Sequence, residues 1–157
     1  MNREIKFRVW DKYKKQMYPI SSIDYDIFSQ EIRIIAIGHK NGMCTSYNKN
    51  HNSEKCDITA LELMQYTGLH DKNGKEIYEG DIVLLDCYYY EEPAFDGEFK
   101  IIYDDINGMW LLVDLENKDR GFTFGEIRSC YKAEFEVIGN VFEKGILLND
   151  SEKSKKN

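Results

Sequence analysis

The sequence has no apolar run approaching the ~20 residues that a membrane-spanning helix requires. Its opening, MNREIKFRVWD, alternates charged and apolar residues and holds no apolar stretch of the kind a secretory leader needs. These two absences lead us to expect a cytoplasmic protein, in whichever cell makes it. Proline is nearly missing, with two in 157 residues. There is also no internal repeat or low-complexity linker, which leaves one domain or two very small ones. Cysteine is limited to positions 44, 56, 87 and 130. In a cytoplasmic chain these are reduced thiols rather than a disulfide framework. Histidine is limited to three residues. No nucleophile elbow, phosphate loop or dinucleotide fingerprint occurs, and Ser129-Cys130-Tyr131 has no histidine nearby.

What is present is a foldable composition, 42% hydrophobic and 13% aromatic. The net charge of −7 hides a split. Residues 1–60 carry ten Lys/Arg against seven Asp/Glu, a balance of +3, while residues 61–150 carry eight against twenty, a balance of −12. An acidic half of this size argues against direct nucleic-acid binding, because phosphate contacts need a basic face.

Periodicity points to strands. Ile5, Phe7 and Val9 alternate with Lys6, Arg8 and Trp10, a period of two. Met17–Ile20, Ile23–Phe28 and Ile32–Ile37 read the same way, the last being almost entirely β-formers. The polar stretch 38–55 reads as a loop and as the boundary after an N-terminal part. Thr59 and Glu62 have capping-box spacing for a turn or two of helix. Asp71-Lys72-Asn73-Gly74 predicts a tight hairpin turn. Strands are predicted at Ile82–Tyr90, Glu98–Tyr103, Met109–Leu115, Arg120–Phe124 and Glu134–Phe142. Along the first of these, Val83, Leu85, Cys87 and Tyr89 share one face. Leu84, Asp86, Tyr88 and Tyr90 share the other, and Asp86 makes that face wet. The charged tail from Ser151 is read as disordered.

Three segments, IKFRVWD (5–11) followed by Met17, QYTGLHDKNGKEIYEGDIV (65–83) and EVIGNVFE (136–143), resemble in order the YopX-like family of phage and prophage proteins. The resemblance implies a compact β-rich protein whose later part looks like an SH3-type barrel, and a phage or prophage origin that would make the compartment the bacterial host cytoplasm; it brings no catalytic residues to transfer. Stretches 38–55 and 88–98 have no counterpart in it. The expected fold is therefore mainly β: an N-terminal β subdomain or extension (1–56) packed on an SH3-like β-barrel domain (57–148), with a disordered tail (149–157). Within the central block, turn chemistry at Gly68, Asp71, Asn73, Gly74 and Gly80 and core filling by Tyr66, Ile77, Tyr78 and Val83 account for the residue types.

Four constellations carry potential chemistry. His39, Cys44, His51 and Cys56 form a Cys₂His₂ set by type, but H-x₄-C spacing replaces the short Cys and His pairs of structural zinc sites, so no metal is expected. Glu91, Glu92, Asp96, Glu98, Asp104 and Asp105 cluster with only Lys100 and no histidine nearby, which suits a solvated face better than a hydrolytic pair. His70-Asp71 has the look of a phosphohydrolase metal pair, with no later histidine to complete it. Tyr88-Tyr89-Tyr90 precedes the acidic, proline-containing EEPAFDGEF, and exposed rings beside carboxylates suit Pro-rich or basic partners.

We therefore expect a non-enzymatic protein-interaction module without cofactor, binding an unknown protein partner through Tyr88, Tyr90, Glu91, Glu92 and Asp96. The alternatives are an acidic decoy that blocks a host protein's nucleic-acid-binding surface and, less favoured, a metal-dependent hydrolase. The charge split also suggests a homo-oligomer, since residues 86–119 hold ten Asp/Glu against Lys100 and Lys118.

Overall fold

The computed structural model describes residues 4–38, 44–49, 57–89, 92–117, 119–130 and 132–143. The fold is mainly β, as the period-two patterning requires, and every strand ladder is antiparallel. Two compact units divide the chain, Ile5–Gln65 and Tyr66–Asn157 with residues 1–4.

In the N-terminal unit, β1 (Phe7–Asp11), β2 (Gln16–Asp26), β3 (Glu31–Gly38) and β4 (Cys44–Asn48) form a meander. β5 (Leu61–His70) enters beside β1, giving the order β4-β3-β2-β1-β5. β2 joins two segments that the sequence separates, and the polar Ser21-Ser22 step is absorbed by a register shift between Ile20 and Ser22. β4 falls inside the stretch expected to be loop. Its signal is weak, but Thr45 and Tyr47 alternate with polar residues, and Tyr47 is fully buried. Val9, Tyr18, Ile35, Ile37, Tyr47 and Leu61 make this unit's core. No capping box forms at Thr59. Asp57 caps instead, accepting from Thr59 N at 2.8 Å to close a single 3₁₀ turn, Ile58–Ala60. Glu62 is already in β5 and pairs with Lys12. Because β5 continues the β1 ladder through Gln65, the N-terminal unit extends to that residue.

The C-terminal unit takes the far end of β5 and hairpins it onto β6 (Glu76–Tyr78) through the expected turn, where Gly74 has φ +80°. There follow β7 (Asp81–Tyr89), β8 (Glu92–Asp104), β9 (Met109–Asp114), β10 (Gly121–Thr123), a short helix α1 (Phe124–Arg128) and β11 (Lys132–Asn140). The sheet order is β10-β9-β8-β7-β11. Val83, Leu85 and Cys87 point inward with Phe99, Ile101 and Leu112, as the alternation predicts. Ile127 of α1 and Ile77 of β6 cover them, and each such buried aliphatic is worth about 1.5–3 kcal/mol.

The barrel expected here is not found. Among the described residues the sheet does not close: β10 and β11 stand at opposite ends with no ladder between them. Two local causes explain this. β10 stops after three residues because Thr123 begins a helix: its Oγ accepts from Glu126 N at 3.1 Å while Glu126 Oε2 accepts from Thr123 N at 2.6 Å. This T-x-x-E box lies at the end of a segment whose composition reads as strand. The outer edge of β11 is occupied as well, because Phe135 O accepts from Lys72 N at 2.8 Å and Val137 N donates to Asp71 Oδ2 at 3.0 Å.

The step into β7 is built on Gly80, at φ +74°, and on buried Asp81, whose Oδ2 accepts from Tyr78 N at 2.9 Å. Gly80 N also donates to Ile101 O at 2.8 Å. Gly80→Val forces a β-branched residue into the left-handed region, and we expect a loss of about 1–3 kcal/mol by urea unfolding. A midpoint equal to that of the parent protein would show that the turn does not hold β7 in place.

Candidate functional site

Alternation along β7 sends Leu84, Asp86 and Tyr88 to the face opposite the core, with Leu84 41% exposed. The register then decides their neighbours. Asp86 lies directly opposite Asp96 of β8 on one side and Glu134 of β11 on the other. One step along, Leu84 lies between Glu98 and Glu136. Five carboxylates thus occupy two adjacent rows across three strands. Directly opposed residues have Cβ atoms about 4.5–5.5 Å apart, and like charges in that relation destabilise a sheet.

Two of the five carboxylates have lysine partners on or beside β11. On β11, Lys132 Nζ pairs with Glu134 at 3.1 Å and Lys72 Nζ pairs with Glu136 at 2.6 Å. The Glu134 carboxylate, with Asp86 beyond it, holds the Lys132 ammonium above the usual lysine range. On the β7–β8 side, Asp86 accepts from Tyr88 Oη at 3.5 Å, and no ion pair reaches Asp96 among the described residues. Tyr88 is half-buried and stands opposite Lys132 and Pro93.

The structure therefore brings Tyr88 and Asp96 onto one face of one sheet. Glu92 opens β8 opposite Tyr89, but its side chain, like Tyr90 and Glu91, lies outside the described residues. Glu98 shares this face in the second row, whereas Asp104 and Asp105 go to the β8–β9 turn. Asp104 is taken up by the β8–β9 turn, where Oδ1 accepts from Ile106 N at 2.9 Å and Oδ2 from the Asn107 amide at 2.7 Å. That amide and the turn N–H groups hold Asp104 below the usual carboxylate range. Glu134 and Glu136 were missed because they reach the row from a strand nearly forty positions away. Their signal was the alternation of KAEFEV.

The metal candidates fare differently. His39, His51 and Cys56 lie outside the described residues, and Cys44 opens β4. Among the described residues no three His, Cys, Asp or Glu side chains converge closely enough to hold a metal ion, the two acidic rows included. His70-Asp71 is divided between two tasks. His70 is exposed and its ring lies 3.2 Å from Tyr66 Oη. Asp71 is buried in the hairpin turn, where Asn73, Lys75 and Val137 donate backbone N–H groups to its carboxylate.

The family model described as YopX protein matches residues 6–149, nearly the whole described fold. The chain belongs to the YopX family. The resemblance read from residues 5–11, 65–83 and 136–143 is thus borne out. Among solved structures, this YopX chain is similar to protein EF1440 from Enterococcus faecalis, with 29% identity and a TM-score of 0.60. The match covers 94% of this chain and 99% of EF1440. No curated protein matches the sequence. No helix among the described residues is long and apolar enough to cross a membrane.

Proposed function

We propose that this YopX-family protein is a non-enzymatic interaction module that receives an extended, basic segment of a protein partner along the outer face of its C-terminal sheet. The observation that carries the reading is the row Glu134, Asp86, Asp96, in which three carboxylates oppose one another on neighbouring strands. Such a row costs stability, and nothing in the core requires it. Its spread over three strands suits several separate cations better than one metal ion. Arg or Lys side chains spaced along a peptide supply those cations, and the Tyr88 ring beside the row offers a surface on which a guanidinium can stack. The flanking apolar Leu84 adds contact area.

The test is binding of a fluorescein-labelled peptide alternating Arg and Gly. We expect binding at low salt that weakens as salt rises, and an affinity loss of about tenfold or more for the Asp86→Lys, Asp96→Lys double variant. Asp105→Lys, exposed on the β8–β9 turn, alters net charge away from the row and serves as the control. Equal losses from the row and control variants would reduce the effect to bulk charge and overturn the site. The reading carries a second expected result. Neutralising the central charge relieves repulsion from both neighbours, so Asp86→Asn should unfold at a urea concentration no lower than the parent protein.

A further inference from the structure

Cys87 and Cys130 are far apart in sequence and meet in the core of the C-terminal unit. Cys87 lies on the inward face of β7, 1% exposed, opposite Ala133 of β11. The chain leaves α1 at Ser129 and turns back into β11, so Cys130 comes three residues before Ala133 and packs against the same apolar cluster as Cys87. Both are free thiols, and they share one apolar cluster, near enough for Cys130 to act on the Cys87 thiol. Cys130 is half-buried, with its Sγ 3.9 Å from Glu126 O. An isolated buried cysteine behaves as a small hydrophobe. Two neighbouring thiols, one of them open to solvent, have the arrangement of an attacked sulfur and a resolving sulfur.

We infer that Cys87 and Cys130 form a reversible dithiol–disulfide pair, oxidised by a peroxide with Cys130 reacting first. The Cys130 thiolate attacks the O–O bond, an S–O bond forms, and the departing hydroxide takes up the thiol's proton as water. Cys87 then attacks the Cys130 sulfur. The S–S bond forms, the S–O bond breaks, and the Cys87 proton leaves with the hydroxyl as a second water. In sum, two thiols and one peroxide become one disulfide and two waters. Exposure sets the order. Burial, and after it the neighbouring Cys130, push the Cys87 thiol up to about 12, so it is a poor first nucleophile at neutral pH. In the second step proximity compensates, because the fold holds both thiols against one cluster at high effective concentration.

The test uses the full chain, reduced, treated with hydrogen peroxide, alkylated after unfolding and peptide-mapped. We expect a linked peptide pair containing Cys87 and Cys130 that dithiothreitol releases. The bond closes a long loop, so the thermal midpoint should rise by roughly 5–10 °C on oxidation and return on reduction. Cys130→Ser, at a half-buried position that keeps the core residue intact, should show neither the link nor the rise. In Cys87→Ala, Cys130 should proceed past sulfenic acid to sulfinic acid for want of a resolving partner. Three results would overturn the pair: recovery of Cys87 as a free thiol while Cys130 is oxidised, a link from either residue to Cys44 or Cys56, or no oxidation of either at peroxide levels that oxidise free cysteine.

Discussion

Asp71→Ala is expected to be among the most damaging single substitutions in the C-terminal unit, at about 3–5 kcal/mol by urea unfolding. The carboxylate accepts from Asn73 N at 2.8 Å, Lys75 N at 2.9 Å and Val137 N at 3.0 Å. It is 7% exposed, so water cannot replace it, and each buried N–H left unpaired costs about 1–3 kcal/mol. Asp71→Asn should fall between the two. Its carbonyl can still serve the turn, but its amide N–H then faces the Val137 N–H, and the bond to β11 is lost. The pH dependence follows from the same contacts. Burial alone would raise this carboxyl, but the N–H groups of Val137, Lys75 and Asn73, with the Lys75 charge, hold it below the usual aspartate value. The unfolded state then binds more protons than the native one as acid is added. The stabilisation is present above the ordinary aspartate pKa of ~3.9 and is lost as pH falls through the lower folded value. Asp71→Ala should flatten that acid limb, and an unchanged limb would show that the acid sensitivity lies elsewhere.

Tyr47→Phe should have a comparable effect in the N-terminal unit, about 2–3 kcal/mol. The phenol donates to Asp11 Oδ2 at 2.5 Å and accepts from Lys14 Nζ at 2.7 Å. Asp11 is fully buried and also accepts from Tyr13 N and Lys14 N, both at 2.9 Å. Removing one oxygen leaves a buried carboxylate short of a donor and takes an acceptor from Lys14, which keeps its 3.5 Å ion pair with Asp11 Oδ2. Burial would raise Asp11, yet the Lys14 N–H, the Tyr47 hydroxyl and the Tyr13 N–H hold it below the usual range. Burial first, then the Asp11 bond, pushes the Tyr47 phenol up, so it stays protonated. Lys14 works in the opposite pH window. Burial would lower it, but the Tyr47 bond and the Asp11 charge hold it above ordinary lysine. That contribution is complete below the ordinary lysine pKa of ~10.4 and fades as pH rises through the folded value. Hydrogen exchange of the β2 and β3 amides reports the loss directly. Protection equal to the parent protein would mean that the three side chains do not hold the hairpin.

The turns and the inward face of β7 were legible in the sequence because each rests on local chemistry. Asn73-Gly74 fixes a hairpin by backbone sterics, and Val83, Leu85 and Cys87 declare one face by alternation. α1 was local too, but its Thr123–Glu126 box was masked by β-branched and aromatic residues that also suit a strand. β4 was hidden because a polar strand at a sheet edge looks like a loop until its partner is known. The candidate site was half-visible. Tyr88 and Asp96 stand close in sequence, whereas Glu134 joins them only through the β7–β11 register, which no local pattern encodes. The Asp11–Tyr47–Lys14 set was invisible for the same reason, since it spans a hairpin and a distant edge strand.

The way the 71–75 turn lies along β11 has a consequence for how copies of this protein meet. A terminal strand normally offers a ladder of free N–H and C=O groups to any passing strand. Here Phe135 O, Val137 N and Val137 O are already bonded to Lys72 N, Asp71 Oδ2 and Lys75 Nζ, the last at 3.5 Å. That stretch of edge is closed to intermolecular pairing, and β10, at three residues, offers little at the other end of the sheet. The carboxylate of one turn residue thus takes the Val137 N–H that an added strand would need. Loss of Asp71 should reveal itself as concentration-dependent association as well as lower stability.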